Sequence, residues 1–325
     1  MTLITCIGDA LIDFLPLQGD GRTAGFGMHA GGSSLNVAVA AARLGRPAAL
    51  AGKVSTDYFG RYLRAYVETE GVDVRWLVPA DSPTTLAFVA VESGDPVFSF
   101  YGQGTADTLL SEVDLPDALF QETTILQVGS ISLLRGTTPG SVLAACQRMA
   151  GTALISLDPN VRPDLVSDEP AYRSLLHRLA TLADIVKVSA ADLAWLAPHL
   201  STEEAAATLL AEGPALVVAT RGSRDVLALR ARPGGHEAVR VAAFPVEVVD
   251  TVGAGDALHA GLLNWLADGG VTSRVGLDGL ATEDLTSALR FASAVAALNC
   301  TRAGADPPDR AIVDAFLSSV DSSAT

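Results

Sequence analysis

Lysine is almost missing from this chain. Only Lys53 and Lys187 occur in 325 residues, and neither stands in a GxxxxGK[ST] loop, so no P-loop is present. Any phosphate site must therefore use backbone N–H groups and arginine. Positive charge is scarce as a whole: the formal net charge is −15, which argues against bulk nucleic-acid or acidic-membrane binding. A nucleotide remains admissible, because a phosphate needs only a local positive site. Cysteine is equally sparse. Cys6, Cys146 and Cys300 are an odd number without a CxxC pair, and each sits in an apolar stretch, so buried free thiols are expected. The five histidines are scattered and form no metal-ligand spacing. No apolar run reaches the ~18 residues of a membrane span. The opening "MTLITCIGDALIDF" lacks a basic n-region and a small-residue cleavage site. It reads as a strand and not a signal peptide, and the expected location is the cytoplasm.

What is present is apolar: 49% hydrophobic against 18% charged residues, enough for a large core. Short apolar runs at 3–8, 48–54, 124–129, 153–159, 184–189 and 215–220 read as strands. Helical patterns at 34–44, 58–70, 139–150 and 202–211 lie between them. Strands apolar on both faces and separated by helices predict a mostly parallel sheet in a layered α/β/α domain spanning 1–325. Two segments break the rhythm. Residues 12–29 hold strand formers and glycines but no helix, and 84–101, "TTLAFVAVESGDPVFSFY", read as a hairpin turning at "SGDP". Strands inserted without helices predict a small extra sheet, placed as a lid over the carboxyl ends of the core strands. The tail "SSVDSSAT" is expected to fray.

"DTVGAGDALHAGLLNWL", residues 250–266, poses a sharper problem. "FPVEVVD" before it (244–250) reads as a strand, and Leu258, Gly261, Leu262 and Trp265 recur at helical spacing. Glycine costs roughly 1 kcal/mol against alanine inside a helix, so two at its mouth need a reason. Free N–H groups at a helix N-terminus form an anion site, and Gly253 and Gly255 let that anion approach without a Cβ in the way. Asp256 falls beside the anion in the first turn. It is either a carboxylate favoured by the helix dipole or a general base that deprotonates an attacking hydroxyl. The dinucleotide fingerprint fits poorly, since its third glycine would be Leu258 and "SRVGLDGLATEDL" (273–285) reads as loop.

A second constellation is "GGSSLNVAVAAARLG", residues 31–45. Ser33 or Ser34 is a candidate N-cap and Gly45 a candidate C-cap. Caps do not explain two glycines followed by an early Asn36. Close approach of a polyhydroxylated ligand, with Asn36 donating and accepting, explains both.

With these two motifs in place, the chain resembles the ribokinase-like (PfkB-type) carbohydrate kinases over essentially its full length, closest in pattern to the fructokinase-like members. The resemblance implies a ribokinase-like fold with a small β-sheet lid. It implies transfer of the γ-phosphoryl of ATP to a primary hydroxyl of a small sugar, with fructose favoured, and Mg²⁺ and K⁺ as cofactors. Asp256 would be the catalytic base, and Gly253, Ala254 and Gly255 the anion hole. Asp13, Gly32, Ser33 and Asn36 would hold sugar hydroxyls, with Arg162 of "DPNVR" near substrate and phosphates. Lys187, Ser189, Thr220 and Gly222 would flank ATP, with Ser293 on the adenine side. Asp250, Val252, Asn299, Arg302 and Gly304 would surround the monovalent cation, mainly through backbone groups. A homodimer through the lid would follow, with no nucleic-acid or membrane partner.

The chain departs from the family pattern at four places. The NxxE pattern associated with Mg²⁺ is here Lys187 and Ala190, with Asp192 as a candidate stand-in. Asp225 replaces a glycine of the nucleotide loop, Gly102 stands where fructokinases often carry arginine after "FSFY", and Pro308 replaces a serine. Two alternatives stay open: a kinase for ribose, a ketodeoxygluconate-type acid or a nucleoside, and a non-catalytic sugar or nucleotide sensor on the same fold.

Overall fold

The computed structural model describes residues 2–19, 22–92 and 95–323. In chain order the elements begin with β1 (Ile4–Ile7), β2 (Leu11–Gly19), β3 (Arg22–Gly31), α1 (Ser33–Arg43), β4 (Ala48–Ser55), α2 (Tyr58–Thr69) and β5 (Leu77–Ala80). There follow β6 (Leu86–Glu92), β7 (Asp95–Tyr101), α3 (Asp117–Glu122), β8 (Ile125–Gly129), α4 (Thr138–Met149), β9 (Leu154–Asp158) and α5 (Glu169–Leu182). Next come β10 (Ile185–Ser189), α6 (Ala190–Leu196), α7 (Thr202–Ala211), β11 (Leu216–Thr220), β12 (Asp225–Arg232) and β13 (Gly235–Ala242). The helices α8 (Ala254–Asp268), α9 (Arg274–Asp278), α10 (Thr282–Asn299) and α11 (Arg310–Ser323) close the chain.

Nine strands form one sheet in the order β13-β12-β11-β10-β9-β8-β1-β4-β5. It is parallel from β5 to β11, and β12 and β13 join antiparallel. Burial on both faces explains the continuous apolar strands: one apolar cluster lies under α1, α8 and α10, the other under α4, α5 and α7. The six strands expected from the sequence are all present within a residue or two of their expected bounds. Four strands make a separate sheet, β3-β2-β6-β7, as the two helix-free segments required. Ser93 and Gly94 of the expected hairpin turn lie outside the described residues, but β6 and β7 pair antiparallel on either side of them. One face of this lid packs on α2, where Phe14 meets Phe59 edge-on at 5.9 Å and stacks on Phe88 at 4.6 Å.

Four sequence expectations fail. Residues 244–250 form no strand: Pro245 offers no N–H, and the segment pairs only through Val249 and Asp250 N–H to the carbonyl of Cys300. Residues 273–285, expected as loop, form α9 and the first turn of α10, because Ser273 accepts the N–H of Gly276 and caps α9. The expected frayed tail is helical to Ser323, while 324–325 lie outside the described residues. Cys300 is half-buried, unlike Cys6 and Cys146. Among the described residues no helix is long and apolar enough to cross a membrane.

The helix that carries the glycine turn is held in place by a close backbone contact. A Cβ on Gly261 of α8 would lie 2.9 Å from Cα of Ala292 and 3.1 Å from Val295 of α10. Gly261→Ala is therefore expected to destabilise the protein by about 1–3 kcal/mol in urea unfolding, despite alanine's better helix propensity. Unchanged or increased stability would show that the two helices separate freely.

Candidate active site

The parallel strands β1, β8, β9, β10 and β11 all end on the same edge, and the residues at or just beyond their ends line one cavity of about 360 Å³ beneath the lid. Ligands of doubly wound sheets bind at this edge. A second cavity, of about 440 Å³, lies between segment 243–248, α8 and α10. The two share Thr220, Thr251 and Gly255, so they meet at the turn that begins α8.

That turn explains its glycines. Gly253 caps α8 at φ 73°, and a Cβ there would lie 2.5 Å from Cβ of Ala305. A Cβ on Gly255 would lie 2.8 Å from Nζ of Lys187. One of the three expected anion-hole amides differs: Ala254 N–H bonds the carbonyl of Thr251 at 3.2 Å. The amides of Gly253 and Gly255 have no backbone acceptor among the described residues. Lys187 rises from the middle of buried β10 and donates to Asp158 at 2.7 Å, with both side chains sealed from solvent. Burial pulls the ammonium down, but Asp158, supported by Asp256, outweighs it and holds Lys187 above its ordinary range. This is a local cation against the anion turn in a chain of net negative charge.

Asp256 stands in the first turn of α8, 7% exposed. Ser33 Oγ donates to its Oδ1 at 2.6 Å and Asn36 Nδ2 to its Oδ2 at 2.8 Å. Burial raises its pKa to about 6, with the Ser33 bond and the Lys187 charge opposing the rise. The serines do not cap α1 as expected. Gly32 is the N-cap, at φ 105°, where a Cβ would lie 2.7 Å from the carbonyl of Asp9. The cap comes from further away: Asp9 accepts the N–H of Ser33 at 3.0 Å and of Ser34 at 3.3 Å. Ser33 is thereby free to face Asp256. Gly45 does close the helix, following the C-cap Leu44 at φ 86°. Asp13, on the lid strand β2, lines the same cavity. Burial, with Asp9 and Asp256 nearby, pushes it up to about 7.

The remaining expected residues divide between the two cavities. Arg162 lines the lid-side cavity and is anchored to its own loop, donating to Asn160 Oδ1 at 2.7 Å. Lys187 and Ser189 line that cavity too, Thr220 lines both, and Gly222, Ala254 and Ser293 line the second. The expected cation residues form a loop beside the glycine turn. Asp250 accepts the N–H of Val252 at 3.0 Å and of Gly304 at 2.8 Å, and Asn299 Nδ2 donates to Val252 O at 2.8 Å. Arg302 pairs with Asp306 at 3.2 Å. Asn299 Oδ1 is buried with no partner among the described residues, a carbonyl oxygen suited to a monovalent cation. Asp192 does not stand in for the NxxE glutamate: its oxygens accept from Ser189 N and Oγ and from Val161 N. Asp225 closes its own turn with Arg221.

Sequence reading missed Asp9, Asp158, Ser130 and Asn160. Asp158 had a signal, since a lysine centred in an apolar strand requires a buried anion. Ser130 and Asn160 carried none. Both line the lid-side cavity with positive φ, 61° and 41°, a strained backbone that only the fold reveals.

A doubly wound sheet with a buried carboxylate beside a helix turn of open amides, at the junction of two cavities under a lid, has the architecture of a phosphotransferase for small hydroxyl compounds. The sequence profile of the pfkB family carbohydrate kinases matches residues 1–311, and the chain belongs to that family. It is similar to the fructokinase of Rhizobium leguminosarum bv. trifolii, 36% identical over 264 residues, 80% of this chain and 78% of that one. The crystal structure of Xylella fastidiosa fructokinase with bound ATP superposes with TM-score 0.90 at 31% identity, covering 98% of this chain and 99% of that one. A double mutant of Vibrio cholerae fructokinase, bound to fructose, ADP and potassium ion, superposes with TM-score 0.84 at 31% identity, covering 98% of both chains.

The Lys187–Asp158 pair generates a stability prediction. Lys187→Met strands a buried carboxylate and is expected to cost about 3–5 kcal/mol in urea unfolding. Adding Asp158→Asn is expected to recover most of that loss. A double variant as unstable as the single one would show that the stranded Asp158 charge is not what destabilises Lys187→Met.

Proposed function

We propose that the chain transfers the γ-phosphoryl of ATP to a primary hydroxyl of a small sugar, D-fructose first. The observation that carries this reading is the Asp256 carboxylate, buried where the two cavities meet and beside the open amides of α8. The sugar would occupy the lid-side cavity among Asp13, Gly32, Ser33, Asn36 and Arg162, and ATP the second cavity along Gly222 and Ser293. Phosphoryl transfer needs positioning and charge neutralisation more than covalent help. Asp256 would take the hydroxyl proton, while the Gly253 and Gly255 amides and Lys187 meet the charge spreading over the phosphoryl oxygens. Leu11, Leu15 and Phe100 present apolar surface to the lid-side cavity, which would keep water from competing as acceptor.

Mg²⁺, when bound, neutralises phosphate charge. It would arrive with ATP, held mainly by phosphates and water, because Asp192 is engaged and no cluster of three or more metal-ligating side chains occurs among the described residues. K⁺ would sit at Asp250, Val252, Asn299, Arg302 and Gly304, where the buried Asn299 Oδ1 has no partner among the described residues. Fructose is supported by the relatives named above.

An acidic sugar is the second reading. Gly102 leaves a space where a Cβ would lie 3.5 Å from Nη1 of Arg135. Arg135 lines a small recess that shares Phe100 and Ile131 with the lid-side cavity. Arg162 lines the cavity itself and Arg135 the recess beside it, and guanidinium suits a carboxylate. ADP release across a panel of neutral sugars, sugar acids and nucleosides decides between the readings, and no release with any of them would leave a binding protein.

A homodimer through the lid is part of the proposal. Beyond the α2 contact, the lid face that carries Phe14 and Phe88 also presents Phe26 at 42% and Tyr101 at 64% exposure, both against Phe88. Tyr101→Asp is expected to shift the protein from dimer to monomer in sedimentation, and a monomeric wild type would refute the assembly. ATP as donor also fits work in the cytoplasm.

Asp256→Asn is expected to cut kcat about 10²–10⁴-fold while leaving ATP and sugar affinity largely intact. The base must be ionised. With a pKa of about 6, kcat/KM is expected to rise with pH through that value and then level. A flat profile between pH 5 and 8, or unchanged turnover in the variant, would remove Asp256 as the base. Because Asn36 bonds Asp256 directly, Asn36→Ala is expected to lower kcat as well as raise the sugar KM, with the ATP KM little changed. Equal effects on both KM values would take Asn36 out of the acceptor site.

A further inference from the structure

One face of β3 is almost bare. Side chains alternate along a strand, and between residues 25 and 31 the face shared with Asp13 carries Gly25, Gly27, His29 and Gly31. His29 lies directly opposite Asp13 in the antiparallel register, so the two side chains share one face of the lid, and Asp13 lines the lid-side cavity. The flanking glycine gives the imidazole room, since a Cβ on Gly27 would already lie 3.3 Å from its Nε2. His29 makes no hydrogen bond to a described residue. Its ring lies beside the body of the protein, close enough that a Cβ on Gly304 would stand 3.4 Å from Nδ1 and 3.9 Å from Cε1.

Gly304 belongs to the loop between α10 and α11, and this loop also touches the anion turn. Ala305, the next residue, is the one whose Cβ leaves no room for a side chain on Gly253. Gly304 N–H is tied to Asp250, and Asp250 to Val252 N–H. The loop is tied at several points: Asp306 N–H bonds the carbonyl of Gly304 at 3.0 Å, and the Asp306 carboxylate pairs with Arg43 and Arg302. A segment tied in this way can pass a displacement on instead of absorbing it.

We propose that His29 is a positioning residue that couples the lid to the anion turn through residues 302–306. It touches no reacting atom. Asp13, its cross-strand neighbour, would feel the acceptor, and His29 carries the resulting lid position to Gly304, Ala305 and thence Gly253. The coupling rests on the kinase reading above, and its test separates the two.

Hydrogen exchange of the full chain is measured with and without saturating D-fructose, nucleotide absent, alongside steady-state kinetics. In the wild type, fructose is expected to slow exchange both at the start of α1 and in 302–306. In His29→Ala the α1 protection stays, the 302–306 protection disappears, kcat falls about tenfold or more, and the ATP KM moves less than twofold. His29→Phe keeps a flat ring and is expected to recover at least half of both effects. His29→Asn replaces the alanine variant if that fails to fold. Protection of 302–306 that survives truncation, or that is missing in the wild type while α1 is protected, overturns the coupling. Absence of any fructose-dependent protection or ADP release overturns the fructose reading beneath it.

Discussion

Two helix N-termini point into one small buried volume, and the carboxylates between them organise the site. α1 and α8 each carry a partial positive charge at this end. Asp9 satisfies the amides of α1, and Asp256, from α8, is held by Ser33 and Asn36 of α1. The bonds run from one helix to the other, so the carboxylate keeps its position only while both helices keep theirs. α8 is further fixed by its close approach to α10 at Gly261, and the glycine at 255 leaves room for Lys187 beside it.

Beneath that volume the sheet is polar along one row. Lys187 meets Asp158, and Ser156 Oγ lies 2.6 Å from Nε2 of His259, one turn along α8 from Asp256. All four are buried, and desolvation lowers His259 to about 3, so its ring stays neutral beside the lysine. A chain with little positive charge thus concentrates a single ammonium where phosphate charge would gather. Isolated, that ammonium would be costly to bury; against Asp158 it is held in its charged form.

The lid differs from the rest of the molecule in how it is held. It is a separate sheet that packs on the body through aromatic contacts with α2 and touches the far loop through His29. Its link to α1 passes through Gly31 and Gly32, where a side chain would collide with Asp13 and with the Asp9 carbonyl.

The sequence by itself determined the layered α/β class, the separate lid and the two glycine motifs. Period-2 and helical patterns are local, and a glycine where helix propensity forbids it signals a close approach. Arrangement was illegible. Segment 244–250 has the apolar residues of a strand, but it pairs with Cys300 beyond α10 and not with the edge strand β13. Ser33 looks like a cap until Asp9, 24 residues away, takes that role. Lys187 declared its need for an anion but not which one. Only the tertiary structure decided that Asp158 answers it, that Asp192 is engaged elsewhere, and that His29 reaches Gly304. The physical reason is that these pairings join residues distant in sequence, and burial, not spacing, selects the partner.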